Sequence, residues 1–282
     1  MLKKYFISLF VLCVLASCGR PTQSNNEGSS SSSEEAVRSE SGVSVTDVEE
    51  VSDLSRVEIP ELLSEQPQQV ILHLGYTVSH NPDWNLPNWV AYSLTQEEVG
   101  GDIPRAKKFN PDPDVDGVAV VTSDYTHSGY DRGHMAPAAD MKWSEQAMYE
   151  SFYMTNICPQ NQSLNRGDWN DLEELARDWA VKFGEVHIVC GPIVAEQYST
   201  IGQQTQVAVP EAFFKVFLRQ KGEEWTAIGF VMPNEAVNRP MMTYMLSVDE
   251  VEAMSGIDFF YNLPNSIEDV VEKDYLISDW TL

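Results

Sequence analysis

His134 stands in the run Tyr130 to Pro137, YDRGHMAP, directly after Asp131, Arg132 and Gly133, in a chain with only 5 histidines and a formal charge of −25. A neutral imidazole can take a proton from water, and a neighbouring guanidinium can hold an anion, so this pairing suits hydrolysis. Taken alone, the run fits a surface turn with a satisfied histidine equally well. Further along comes CPQNQSLNRGDW, crowded with Asn161, Gln162 and Asn165. Amides before a helix ordinarily make turns, but an amide oxygen is also a hard neutral ligand for Mg²⁺, which keeps most of its waters. Glu173 and Arg177 follow at i,i+4 spacing, either as a surface ion pair of little worth or as the lining of a cleft. A histidine, an amide oxygen and a carboxylate one turn into the next helix compose a hydrolytic site around a hydrated metal.

Such a site needs elements to hold it. VILHLGYTVSHN, WVAYSLT, GVAVVTS, SFYMTNICP, VHIVCGP, FFKVFLRQ and WTAIGFVMP are short, rich in β-branched and aromatic residues, and bounded by Gly, Pro or Asn. They read as strands of one sheet. Helical patterns fall at Ser144 to Phe152, Trp169 to about Phe183, Pro240 to Ser247 and Ser247 to Ser255. In the second of these, Asp168 is placed to cap, and Leu172, Leu175, Ala176, Trp179, Ala180 and Phe183 share an arc of roughly 140° that must face a core. Glu173 and Arg177 lie beside that arc, where side chains line a cleft. Strands and helices intersperse without regular βαβ alternation. The expected fold class is α+β, a central and mostly antiparallel sheet flanked by helices.

The N-terminal residues say where the protein works. MLKKYFISLFVLCVLASC has a basic start and an apolar run of the length of a secretory signal, ending in Leu15-Ala16-Ser17-Cys18, which resembles the bacterial lipobox. Residues 1–17 are expected to be a lipoprotein signal peptide and Cys18 the lipidated residue, anchoring the chain in the bacterial cell envelope, in the periplasm or at the cell surface. From Gly19 to about Arg56 the chain has no aromatic residue, long Ser and Glu runs, and eight acids against three arginines, so residues 18–58 are expected to be a disordered tether. The globular domain is expected over 59–282. Cys158 and Cys190 fall in its apolar runs, where they can pair in an oxidising compartment or remain buried thiols.

DRGH at Asp131 to His134, followed by TNICPQNQSLNRGDWNDLE from Thr155 to Glu173, closely resembles the DNA/RNA non-specific endonucleases, the ββα-metal nucleases with a DRGH motif. LPNWVAYSL, VPEAFFKVFL, AIGFVMPNE and SVDEVEAMSGIDFFYNLP resemble that family's flanking elements, so the likeness covers about Leu72 to Leu263. The resemblance implies a ββα-metal motif and a Mg²⁺-dependent endonuclease that cuts DNA and RNA to 5′-phosphate ends, with Mn²⁺ among the cations able to replace Mg²⁺. It makes His134 the general base, Asn165 the direct metal ligand and Glu173 the acid that orients the metal's waters. Arg132 and Arg177 match phosphate-holding arginines, and Arg105 a third. Asp131 is assigned to orienting the histidine, and Gly133 to giving the backbone room to turn.

Charge resists this reading. Between Leu94 and Glu185 the acids outnumber the eight basic residues about two to one, whereas nucleic-acid binders usually show a basic surface. A nuclease with its positive strip confined to a cleft accommodates this, and so does an alternative: a catalytically weak or inactive surface lipoprotein that binds a polyanion or a protein partner through the same fold. A zinc hydrolase is disfavoured, since no second histidine or cysteine stands at ligand spacing from His134. DNA and RNA are the expected partners, together with the membrane reached through the lipid on Cys18.

Overall fold

The computed structural model describes residues 54–236 and 239–281. The expected signal segment, Cys18 and the tether through residue 53 lie outside the described residues. Packing begins with a 3₁₀ turn at Leu54–Arg56 and with Val57, which is fully buried. The folded part therefore takes in residues that the sequence assigns to the tether, because the Val57 side chain is fully buried in the core. Among the described residues no helix is long and apolar enough to cross a membrane.

After the short β1 (Glu61–Leu62) come β2 (Gln69–Leu72), β3 (Thr77–Asn81) and β4 (Leu86–Thr95). VILHLGYTVSHN, expected as one strand, is thus two. The chain folds back at Gly75, where an added Cβ would come within 2.4 Å of the Met141 sulfur. A single turn of helix, α1 (Gln96–Val99), is closed by a capping box between Thr95 and Glu98. Then follow β5 (Asp131–His134), α2 (Glu145–Glu150), β6 (Ile157–Gln160), α3 (Gln162–Arg166) and the long α4 (Asp168–Phe183). The C-terminal half holds β7 (Glu185–Ile193), the small ribbon β8 (Thr200–Ile201) and β9 (Val207–Ala208), and the hairpin β10 (Ala212–Lys221) and β11 (Glu224–Pro233). It ends in β12 (Met245–Leu246), α5 (Val248–Ser255), β13 (Ile257–Asp258) and α6 (Asn265–Val271).

Seven strands form the central sheet in the order β12-β11-β10-β7-β4-β3-β2, and every neighbouring pair is antiparallel. With helices on both faces the fold is α+β, as expected. Period-two alternation sorts β10 between two cores. Phe213 and Phe217 join Trp169, Leu172 and Trp179 of α4 on one face, while Phe214, Val216 and Leu218 join Val248 and Val251 of α5 and Phe259 on the other.

Three further expected elements differ. GVAVVTS is not a strand: Val118 is exposed, and the segment closes into a 3₁₀ turn at Thr122–Tyr125, with the Asp124 carboxylate accepting from Val121 N. SFYMTNICP forms a 3₁₀ turn and then β6, which pairs with β5 in its own ribbon rather than joining the central sheet. PMMTYMLS makes only a 3₁₀ turn at Met241–Thr243 before β12 adds to the edge of β11, since Met242 is exposed and no apolar face sustains a helix. In α4 the cap is Gly167 rather than Asp168, whose carboxylate accepts from the Tyr244 hydroxyl at 2.5 Å.

Trp179 anchors α4 to the sheet. It packs edge-on against Phe217 at 5.1 Å and Trp280 at 4.7 Å, and its Nε1 donates to the Trp280 carbonyl at 2.7 Å. Trp179→Ala should therefore destabilise the fold by about 3–5 kcal/mol through the cavity it leaves. Urea denaturation reads this directly, and a loss below about 1 kcal/mol would contradict the packing described.

Candidate active site

The ribbon β5–β6 and the helices α3 and α4 after it make a ββα unit. Register pairs Asp131 with Gln160, Gly133 with Cys158 and His134 with Ile157. Arg132 and His134, two apart, project to the same side. Gly133 serves this ribbon and not a turn: an added Cβ would meet the buried Gln160 side chain at 2.1 Å. The residues around His134 are pinned from several directions. Trp169 Nε1 donates to the His134 carbonyl at 3.3 Å, and the buried Asn156 side chain accepts from Ala136 N and donates to Ala136 O and Ser151 O.

Above this frame opens a cleft of about 380 Å³ whose lining includes Arg105, Arg132, His134, Asn165, Arg166, Glu173 and Arg177. The structure thus brings together every residue expected to do chemistry. The His134 ring is wedged between Phe109 and Phe152, at 5.4 and 4.9 Å, and its buried Nε2 has no protein partner. Burial, assisted by the Arg105 charge, pushes its pKa down to about 3. At neutral pH the ring is an uncharged base.

Asn165 belongs to α3, a short helix that starts from Asn161, whose side-chain oxygen accepts from Ser163 N. Asn165 Nδ2 donates to Asp131 Oδ2 at 3.1 Å, and Arg166 donates to both Asp131 oxygens at 2.8 and 2.9 Å. This corrects the role expected of Asp131. Its carboxylate orients the Asn165 amide and Arg166 rather than the histidine ring, because the ring lies between two phenyl groups. With the amide nitrogen engaged, the Asn165 oxygen remains to receive a cation.

Glu173 and Arg177 do not pair with each other. Arg177 Nη1 donates at 2.8 Å to Asp140, which is fully buried and also accepts from the Tyr92 hydroxyl at 2.9 Å. Burial raises the Glu173 carboxyl to about 7, opposed most strongly by the Lys215 charge. Lys215 is itself fully buried, its ammonium 4.6 Å from the Trp169 ring. Arg132 spans Phe109 and Tyr125 and donates to the Thr122 carbonyl at 2.9 Å, and Arg105 lies over Phe152 at 5.1 Å. Cys158 and Cys190 are buried free thiols, and burial pushes Cys190 to about 12.

Sequence reasoning missed Asp140, Lys215 and Arg166. Lys215 carried a usable signal, a lone charge inside the apolar run FFKVFL. Asp140 carried none, because its partners Arg177 and Tyr92 are distant in the chain. Arg166 adjoins Asn165 but reads as solvent charge.

A neutral imidazole sharing a cleft with an amide side chain and a half-buried carboxylate, rimmed by arginines, has the make-up of a ββα hydrolytic site for an anionic substrate. The model of the DNA/RNA non-specific endonuclease family matches residues 55–266, and the chain belongs to that family. It is 37% identical over 214 residues to the mitochondrial nuclease EXOG of Danio rerio, covering 70% of this chain and 62% of that protein. It is 33% identical over 204 residues to human mitochondrial endonuclease G, covering 67% of this chain and 68% of that protein. The chain thus spans less than two thirds of the length of the zebrafish EXOG. In the crystal structure of the EndoG/EndoGI complex, a chain 29% identical superposes with a TM-score of 0.67, covering 71% of this chain and 89% of that one.

A histidine depressed on folding leaves the unfolded chain to bind the proton first. Its contribution to stability is full above the ordinary pKa of about 6.5 and is lost as pH falls toward about 3. The His134 ring should stay neutral at pH 5 by ¹⁵N NMR of the imidazole. A ring that titrates near 6.5 would contradict the buried setting.

Proposed function

We propose that the chain is a Mg²⁺-dependent endonuclease that hydrolyses phosphodiester bonds of DNA and RNA without sequence preference, leaving 5′-phosphate ends. One observation carries this reading: the neutral His134 ring shares a cleft with an Asn165 oxygen left available by the grip of Asp131 on the amide nitrogen. The residues fit a hydrated cation. Asn165 would hold it directly, and Glu173, half-buried in the same cleft, would hold its waters. A bound Mg²⁺ supplies neutralisation of phosphate oxygens and stabilisation of the leaving 3′ oxygen.

The remaining work falls to the chain's own groups. His134 accepts the proton of the attacking water. Arg105 and Arg132 hold the phosphate as charge grows on its oxygens, and Arg177, fixed by Asp140, keeps its cation at the same cleft. Groups of this kind meet the sugar-phosphate backbone, whose contacts carry no sequence information, so both nucleic acids qualify and base identity does not matter. Four arginines line the cleft of a chain whose net charge is −25. Attraction is thereby confined to the cleft, and added salt should weaken substrate binding. The relatives' names as nucleases support the same activity.

The lipobox-like LASC and the basic, apolar leader support a lipid anchor on Cys18 in the bacterial cell envelope, with the acidic segment after it as a tether. Acidity also favours a second reading, a surface lipoprotein that binds a polyanion or protein without cutting.

Supercoiled plasmid and RNA incubated with the protein in Mg²⁺ or in EDTA separate the two. Cleavage should require Mg²⁺, and His134→Ala should lower kcat by about 100- to 10,000-fold. Asn165→Ala should abolish cleavage while leaving the urea midpoint near that of the parent. No nicking in Mg²⁺ or Mn²⁺, or undiminished cutting by His134→Ala, would refute the nuclease reading. Independently, Cys18→Ala should move the protein from the membrane to the soluble fraction, and continued membrane association would refute the anchor.

A further inference from the structure

On the sheet face opposite α4, three carboxylates from two elements converge. Asp249 and Glu252, three apart, share one side of α5, and Glu272 is the C-terminal cap of α6. One oxygen from each lies within 4.8 Å of the other two. The backbone fixes this meeting, since Asp249 N donates to the Glu272 carbonyl at 3.1 Å. Acidic clusters are common on protein surfaces and mean little alone. This one differs because Glu272 is only 4% exposed and its Oε1 is buried with no hydrogen-bond partner. A carboxylate oxygen left so is costly unless something positive or a proton meets it.

We propose that Asp249, Glu252 and Glu272 form a Ca²⁺ site, separate from the catalytic cleft, that fastens the end of α6 to α5. The chemistry is that of a hard cation with oxygen ligands. Ca²⁺ takes carboxylates at about 2.3–2.6 Å in flexible geometry. Mg²⁺ demands a near-ideal octahedron and gives up its waters reluctantly, so three carboxylates gathered from two elements suit Ca²⁺ better. Glu252 Oε1 accepts from Phe259 N at 2.8 Å, which holds the carboxylate in place and leaves its second oxygen for the ion. Water fills the remaining positions, because Asp249 opens the cluster to solvent.

Electrostatics points the same way. Burial, then the charges of Glu252, Glu268, Asp258 and Asp249, pushes Glu272 up to about 10. Burial and its acidic neighbours raise Glu252 to about 7, against the hydrogen bond from Phe259. A divalent cation would relieve this crowding.

The test uses the full chain carrying Asn165→Ala, to weaken binding in the cleft, and follows thermal unfolding with added Ca²⁺. Tm should rise with millimolar Ca²⁺ and rise less with equal Mg²⁺. Adding Glu272→Gln or Asp249→Asn should each remove the Ca²⁺-dependent rise. Asp249 is exposed, so its variant keeps the test sound should Glu272→Gln fail to fold. No rise in the Asn165→Ala parent, or the same rise in the Asp249→Asn variant, would overturn the site, and an equal response to Mg²⁺ would overturn the choice of Ca²⁺.

Discussion

The Asp131 carboxylate receives the Asn165 amide nitrogen on one oxygen and the forked Arg166 guanidinium on both. An amide has a donor end and an acceptor end, and only one can face a cation. By taking the donor end, Asp131 decides which face Asn165 turns to the cleft. The grip also joins two elements, β5 and α3, that share no continuous hydrogen-bond ladder. His134, three residues along the same strand from Asp131, is therefore placed relative to Asn165 by a side-chain contact as well as by the chain.

Beneath this sits a layer of buried charge. Asp140 pairs with Arg177, while Lys215 lies close enough to act on both Asp140 and Glu173. Buried ions are costly unless opposed, and here two carboxylates and two cations oppose one another in one place. Burial above all raises the Glu173 carboxyl to about 7, against the Lys215 charge. Such a layer also lets an acidic protein keep positive charge at the cleft.

Much of this was legible in the sequence because it rests on local pattern. The core face of α4 follows from 3.6-residue spacing, and Trp179, Leu172, Ala176 and Ala180 are indeed buried. The ordered motifs around His134, Asn165 and Glu173 named the cleft residues together. What escaped depended on long-range pairing. DRGH reads as a turn until Ile157–Gln160 pairs with it, and GVAVVTS reads as a strand until one finds that no partner lies beside it. Arg177 looks matched to Glu173 by helical spacing, yet Asp140, brought in from the segment after β5, is the better partner. Sequence spacing shows which groups can meet on one element and is silent on competitors from another.

The indole of Trp179 hydrogen-bonds the backbone of Trp280, a residue 101 positions further on. The helix that carries Glu173 and Arg177 is thus finished by one of the last stretches of the described chain. During synthesis the motif residues emerge well before that stretch, and until it arrives the inner face of α4 lacks part of its cover. Completion of the cleft's support in this way waits on a stretch far along the chain from α4, so a chain made only as far as α4 holds the chemical groups without that support.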